Sequence, residues 1–76
     1  MIKIYSTPFC PYCVTLKDYL KSKKIDFKDV DVSSDENERE EMIKVSGQLG
    51  VPVLSVDGKI IVGFDKEQID EVLKIK

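Results

Sequence analysis

Two thiols separated by two residues can close into a small disulfide and reopen by exchange, and Cys10-Pro11-Tyr12-Cys13 supplies such a pair from the only two cysteines of the chain. The thiolate is the attacking species, and the partial positive charge of a helix N-terminus favours it. The residues after Cys10 read as a helix. Cys10 therefore falls in the loop that follows Thr7-Pro8-Phe9, exposed and at the helix end, which assigns it the attacking role. Unpaired N–H groups of the first helical turn, that of Cys13 included, are its expected helpers. Cys13 falls inside that turn on the apolar stripe, so it is expected to be shielded, to have a raised pKa and to act second, as the resolving thiol. Pro11 removes one donor and stiffens the turn, which tunes how oxidising the pair is. The chain has no histidine to serve as general base, so activation falls to the helix end and to nearby lysines.

Other uses of two cysteines fit less well. A disulfide between near neighbours closes too short a loop to restrict the unfolded chain much, so it is a poor structural staple. Met1-Ile2-Lys3-Ile4-Tyr5 offers no apolar run of signal-peptide or membrane-span length, which sets a cytoplasmic expectation. In a reducing compartment such a pair is catalytic or metal-binding more often than structural. Two thiolates without further cysteine or histidine supply half the usual zinc ligand set, so no metal is assigned.

The elements that must position the pair are legible from periodicity. At 76 residues the chain reads as one domain spanning 1–76, small enough that its margin of stability is about 3–5 kcal/mol. Residues 2–5 alternate as a short strand that stops at Ser6-Thr7-Pro8. Leu16 and Leu20 follow Cys13 at helical spacing, with Lys17, Asp18 and Lys21 on the wet side, which predicts a helix over 11–23 with Pro11 at an early position. A second strand is predicted over 26–31. Ser33 with Glu36 fits a capping box that opens a second helix, whose buried side is Met42, Ile43 and Val45 and which ends near Ser46-Gly47. Val53-Leu54-Ser55-Val56, Asp57-Gly58 and Lys59-Ile60-Ile61-Val62 form the clearest local signal, a type I′ hairpin. Asp65 with Gln68 starts a last helix carrying Ile69, Val72 and Leu73. The order is βαβαββα, an α/β fold with helices on both faces of a four-stranded sheet whose first unit is parallel and whose hairpin is antiparallel.

Charge is abundant, 34% of residues, yet balanced at 12 basic against 14 acidic. No basic patch or aromatic-interleaved cationic run points to nucleic acid, and no segment points to a membrane. Lys66, Lys74 and Lys76 read as solvated helix-end charges. Two further segments bear on the site. Val51-Pro52 is either a strand starter, where proline is tolerated, or a cis bond facing Cys10 that leaves the Val51 backbone to pair with a substrate peptide. Gly63-Phe64-Asp65 is either a loop and an N-cap or a set of N–H groups able to hold a carboxylate.

Taken together, Ile4-Tyr5-Ser6 through Cys13, Gly50-Val51-Pro52 and Val62-Gly63-Phe64-Asp65 resemble the glutaredoxins over nearly the whole chain. The resemblance implies a thioredoxin-like fold, with a four-stranded mixed sheet flanked by three helices, and a cis Pro52. It also implies a substrate or glutathione groove among Cys10, Val51 and Asp65, with Tyr12 and Phe64 as its walls. Four positions depart from that family's pattern: Thr7 and Gln48 stand where a lysine and an arginine are common, Gly50 replaces a threonine before Val51-Pro52, and Val62-Gly63 replaces a glycine pair. The replaced groups help to seat the carboxylates of glutathione. Gly63-Phe64 looks like the short redoxins that serve ribonucleotide reductase.

The expected function is a dithiol thiol–disulfide oxidoreductase of glutaredoxin type. It would reduce protein disulfides or glutathione mixed disulfides as a monomer, with no bound cofactor and glutathione as co-substrate. An alternative is a redoxin reduced by thioredoxin reductase that donates to ribonucleotide reductase or a peroxidase. An alternative of another class is a dimer that holds a [2Fe–2S] cluster through Cys10 and glutathione, against which Pro11 argues by crowding the approach. Some relatives place selenocysteine at the first position of the pair.

Overall fold

A computed structural model of the chain describes residues 2–74. The elements are β1 (Ile2–Ser6), α1 (Pro11–Ser22), β2 (Lys28–Asp31), α2 (Glu36–Ser46), β3 (Val53–Val56), β4 (Lys59–Val62) and α3 (Lys66–Leu73). Each predicted element is present in the predicted order. Lys76 lies outside the described residues.

The strands form one mixed sheet in the order β2-β1-β3-β4. β1 pairs in parallel with β2 and antiparallel with β3, which pairs antiparallel with β4. Tyr5 stands opposite Val53, and Val53 opposite Val62. The C-terminal ends of β1 and β4 and the N-terminal end of β3 therefore meet at one end of the sheet. The loops that carry Cys10, Val51-Pro52 and Gly63 all leave from there.

Period-two alternation splits the apolar residues into two cores. Ile4, Leu54, Val56 and Ile61 face one way and pack with Leu16 and Leu20 of α1 and Ile69 of α3. Tyr5, Val30 and Val53 face the other way, where Met42 of α2 covers them together with Val32. The β3–β4 turn has positive φ at both Asp57 (47°) and Gly58 (92°), as a type I′ turn requires.

The structure corrects several local expectations. β2 begins at Lys28 rather than residue 26. The N-cap of α2 is Asp35, whose carboxylate accepts the Glu38 N–H, and not Ser33. Ser33 instead donates its N–H and hydroxyl to Asp31 Oδ1, at 2.9 and 2.5 Å. Asp31 offers an acceptor two residues away, so a local turn outcompetes the capping box. On α2 only Met42 is fully buried; Ile43 is half-buried and Val45 is exposed. Lys17 and Lys66 are not simply solvated: Lys17 pairs with Asp29 at 3.0 Å, and Lys66 pairs with Asp70 at 2.9 Å while standing over the Tyr19 ring.

Leu20 is fully buried between α1 and the sheet. Truncation to alanine leaves a cavity, so Leu20→Ala is expected to lose about 2–5 kcal/mol in urea unfolding, a large share of what so small a domain has. A loss well below 1 kcal/mol would show that this core is not tightly packed.

Candidate active site

Cys10 is the N-cap of α1, with extended backbone (φ −103°, ψ 113°), and Pro11 opens the helix. Its carbonyl accepts the N–H groups of Cys13 (3.1 Å) and Val14 (3.3 Å). This corrects the expectation that the Cys13 amide is free to face the Cys10 sulfur. Pro11 has no N–H, so the donor left in the first turn is that of Tyr12, for which no acceptor is found among the described residues. Both cysteines are free thiols.

The two sulfurs differ in environment. Cys10 is half-exposed, and its thiol points to the Val51 carbonyl at 3.7 Å. Cys13, three residues on, is turned into the protein and has no exposed surface. Burial pushes the Cys13 thiol from its ordinary 9.0 up to about 11, and a hydrogen bond with Cys10 adds to the rise. The Thr7 backbone and the Lys17 charge oppose it. Thr7 thus acts at the site through its main chain.

Beneath Cys13 runs a polar chain that sequence inspection missed. Buried Ser6 of β1 donates its hydroxyl to Asp29 Oδ1 (2.9 Å), and Lys17 of α1 holds Asp29 Oδ2 (3.0 Å). This ties β1, β2 and α1 together one helical turn from the sulfur. No motif marks the three residues, because they meet only through the parallel pairing of β1 with β2.

The Val51-Pro52 peptide bond is cis. Pro52 is buried and Val51 half-buried. The β3 ladder starts only at Val53, so Val51 lies beyond the sheet pairing. Gly63, in left-handed backbone with φ 76°, donates its N–H to the Pro52 carbonyl at 2.8 Å. A side chain at that φ would be strained, so glycine lets the chain turn back to clamp the proline loop. That N–H is then engaged and does not serve as a carboxylate holder.

The remaining sequence-predicted residues are placed as follows. Gln48 Nε2 reaches the Gly50 carbonyl at 3.4 Å and braces the turn before Val51. Asp65 caps α3, accepting from the Gln68 N–H at 3.1 Å and its side-chain amide at 2.9 Å. Phe64 packs edge-on against Tyr19 with ring centres 5.7 Å apart, and Tyr19 in turn donates its hydroxyl to Asp70. Tyr12 is exposed on the first turn of α1. The structure therefore brings Cys10, Cys13, Thr7, Val51 and Pro52 together, while Asp65 and Phe64 are committed to the packing of α3. Among the described residues no group of three or more histidine, cysteine or carboxylate side chains stands where it could hold a metal ion. No helix among them is long and apolar enough to cross a membrane.

A four-stranded mixed sheet with three helices and a cysteine pair opening the first of them is a thioredoxin-like architecture. A solved thioredoxin-like protein superposes on it with a TM-score of 0.93, at 29% identity, over 99% of this chain and 96% of the other. The glutaredoxin family model matches residues 2–61. The chain is 61% identical over 74 residues to an uncharacterized glutaredoxin-like 8.6 kDa protein in a rubredoxin operon of Clostridium pasteurianum, covering 97% of this chain and 99% of that one. It is 39% identical over 64 residues to glutaredoxin 3 of Escherichia coli K12, covering 84% and 77%. The chain belongs to the glutaredoxin family, and family and fold together make it a thiol–disulfide oxidoreductase.

The buried, neutral Cys13 has a consequence for stability. Its folded pKa lies above the ordinary value, so the contribution is intact below pH 9.0 and is lost as pH rises toward about 11. In a Cys10→Ser protein, alkylation of Cys13 should rise about tenfold per pH unit and level only above pH 9.0, whereas in urea it should level near the ordinary value. A plateau below pH 9.0 in the folded protein would mean that positive charge, not burial, governs this thiol.

Proposed function

We propose that the chain is a dithiol oxidoreductase of glutaredoxin type, with Cys10 as nucleophile and Cys13 as resolving thiol. The observation that carries this reading is the asymmetry of the pair: Cys10 half-exposed at the helix N-terminus, Cys13 fully buried one turn inside. The Cys10 thiolate attacks one sulfur of a substrate disulfide. A mixed disulfide forms, and the other substrate half leaves as a thiolate and takes up a proton. Cys13 then surrenders its proton and attacks the Cys10 sulfur, which releases the second half. The substrate gains two electrons, and the protein is left with a Cys10–Cys13 disulfide.

High pKa and burial suit Cys13 to waiting. A neutral thiol does not compete for substrate, and it becomes the attacking group only when the mixed disulfide sits within its reach. Val51, beyond the ladder and beside Cys10, supplies a backbone against which an extended substrate segment can align. Substrates of this reading are disulfide-containing proteins and glutathione mixed disulfides.

Two thiols of glutathione, or a thioredoxin reductase, restore the dithiol. Thr7 and Gln48 favour the second donor, because neither offers a cation to the glutathione carboxylates and Gln48 is already spent on Gly50. Running the oxidised protein side by side with glutathione and with NADPH plus thioredoxin reductase separates the donors. Faster reduction by the flavoenzyme is expected, and rapid reduction by glutathione alone would assign the tripeptide.

The roles of the two cysteines are tested by serine variants. Cys10→Ser should abolish exchange with every disulfide, while Cys13→Ser should keep monothiol turnover of glutathione mixed disulfides. An active Cys10→Ser protein would overturn the assignment.

A further inference from the structure

A tethered cation lies one turn along α1 from the resolving thiol. Lys17 follows Cys13 by four residues, which puts the two on one face of the helix. Long helical side chains lean toward the N-terminus, here toward the Cys13 turn. The Lys17 side chain is only 19% exposed, and its ammonium is fixed at 3.0 Å from Asp29 Oδ2. Parallel pairing sets Asp29 opposite Ile4, on the sheet face that α1 covers. Ser6, two residues after Ile4, shares that face and donates to Asp29 Oδ1 at 2.9 Å. No lysine or arginine occurs in residues 6–16, 45–56 or 60–64, the segments around the pair. Ile4 and Leu54 beneath α1 are apolar, while Asp70 and Lys66 of α3 are engaged with each other and with Tyr19. Among the described residues, the titratable groups that bear on Cys13 are thus Cys10, Lys17 and, behind Lys17, Asp29.

We propose that Asp29 is a positioning residue for the resolving step: one carboxylate oxygen holds the Lys17 ammonium against the Cys13 turn, and the other holds Ser6, next to the Thr7 main chain that reaches the Cys13 sulfur. The negative charge that forms on Cys13 is then met by groups already in place. In that step the Cys13 thiol gives up its proton and the thiolate forms a bond to the Cys10 sulfur. The bond from Cys10 to the substrate sulfur breaks with its electron pair, and the departing thiolate takes up a proton. The two cysteines are oxidised and the substrate is reduced. Burial opposes the ionisation, and the Thr7 main chain and the Lys17 charge are the groups that ease it. Both are anchored through Asp29, although Asp29 itself is an anion. An acid near a thiol ordinarily hinders ionisation, so positioning and plain electrostatics predict opposite effects when its charge is removed. The inference rests on the role of Cys13 as resolving thiol proposed above.

The test is stopped-flow reaction of the full-length, reduced protein with one equivalent of uncharged 4,4′-dithiodipyridine. Attack by Cys10 releases a first thiopyridone, and attack by Cys13 on the mixed disulfide releases a second, so the two steps are read as separate phases. Loss of the Lys17 charge in Lys17→Met removes about tenfold of the Cys13 thiolate, and the more basic thiolate regains about threefold in nucleophilicity. The second phase is therefore expected to slow about threefold at each pH below 9.0, with the first phase changed less than about twofold. Lys17→Arg should restore it. Asp29→Asn should also slow the second phase, although an anion has been removed. A second phase unchanged in Lys17→Met, both phases slowed alike, no rescue by arginine, or a second phase unchanged or faster in Asp29→Asn would overturn the positioning role. Release of only the first thiopyridone by wild-type protein would instead overturn Cys13 as the resolving thiol.

Discussion

One turn of backbone governs this molecule. The Cys10 carbonyl takes the N–H groups of both Cys13 and Val14, so the residues from Cys10 to Cys13 are locked as the start of α1. A helical turn places residues three apart on nearly the same side but at different depth. With the helix packed on the sheet, the cap residue is left at the rim and the third residue is driven inward. That difference in depth is what separates an accessible sulfur from one held neutral by burial.

The rest of the fold keeps the turn in place and presents a surface opposite it. Leu16 and Leu20 seat α1 on the sheet, and the Ser6–Asp29–Lys17 chain pins the same helix from below. The register of β1, β3 and β4 brings three loops to one sheet end. The hydrogen bond from Gly63 to the Pro52 carbonyl then fastens the loop whose Val51 carbonyl faces Cys10. The network of Tyr19, Asp70, Lys66 and Phe64 ties the C-terminal half of α1 to α3, away from the cysteines at the helix N-terminus.

Much of this was legible from the letters because it is local. Cys-x-x-Cys before a helical apolar stripe, Asp57-Gly58 between β-branched runs and Asp65 three residues before Gln68 each announce their geometry within a few positions. The depth difference between Cys10 and Cys13 followed from the same stripe. The cis Val51-Pro52 bond entered through family resemblance, since nothing in the dipeptide itself selects cis. What stayed hidden depends on distant partners or on competition between near ones. The start of α2 turned on whether Ser33 would serve the helix or Asp31, and Asp31 was nearer. Lys17 looked like a solvated charge until the β1–β2 pairing set Asp29 beside it. The free donors expected around Cys10 were reduced because its own carbonyl takes two of them, a matter of backbone geometry that side-chain letters do not record.

Everything above turns on the difference in depth between the two sulfurs, which site-resolved labelling of the reduced wild-type protein reads out. A limiting pulse of iodoacetamide at neutral pH, followed by acid quench and fragmentation mass spectrometry, locates the adduct on either side of Pro11-Tyr12. Nearly all of the label is expected on Cys10. Equal or greater labelling of Cys13 would show that burial does not separate the two sulfurs.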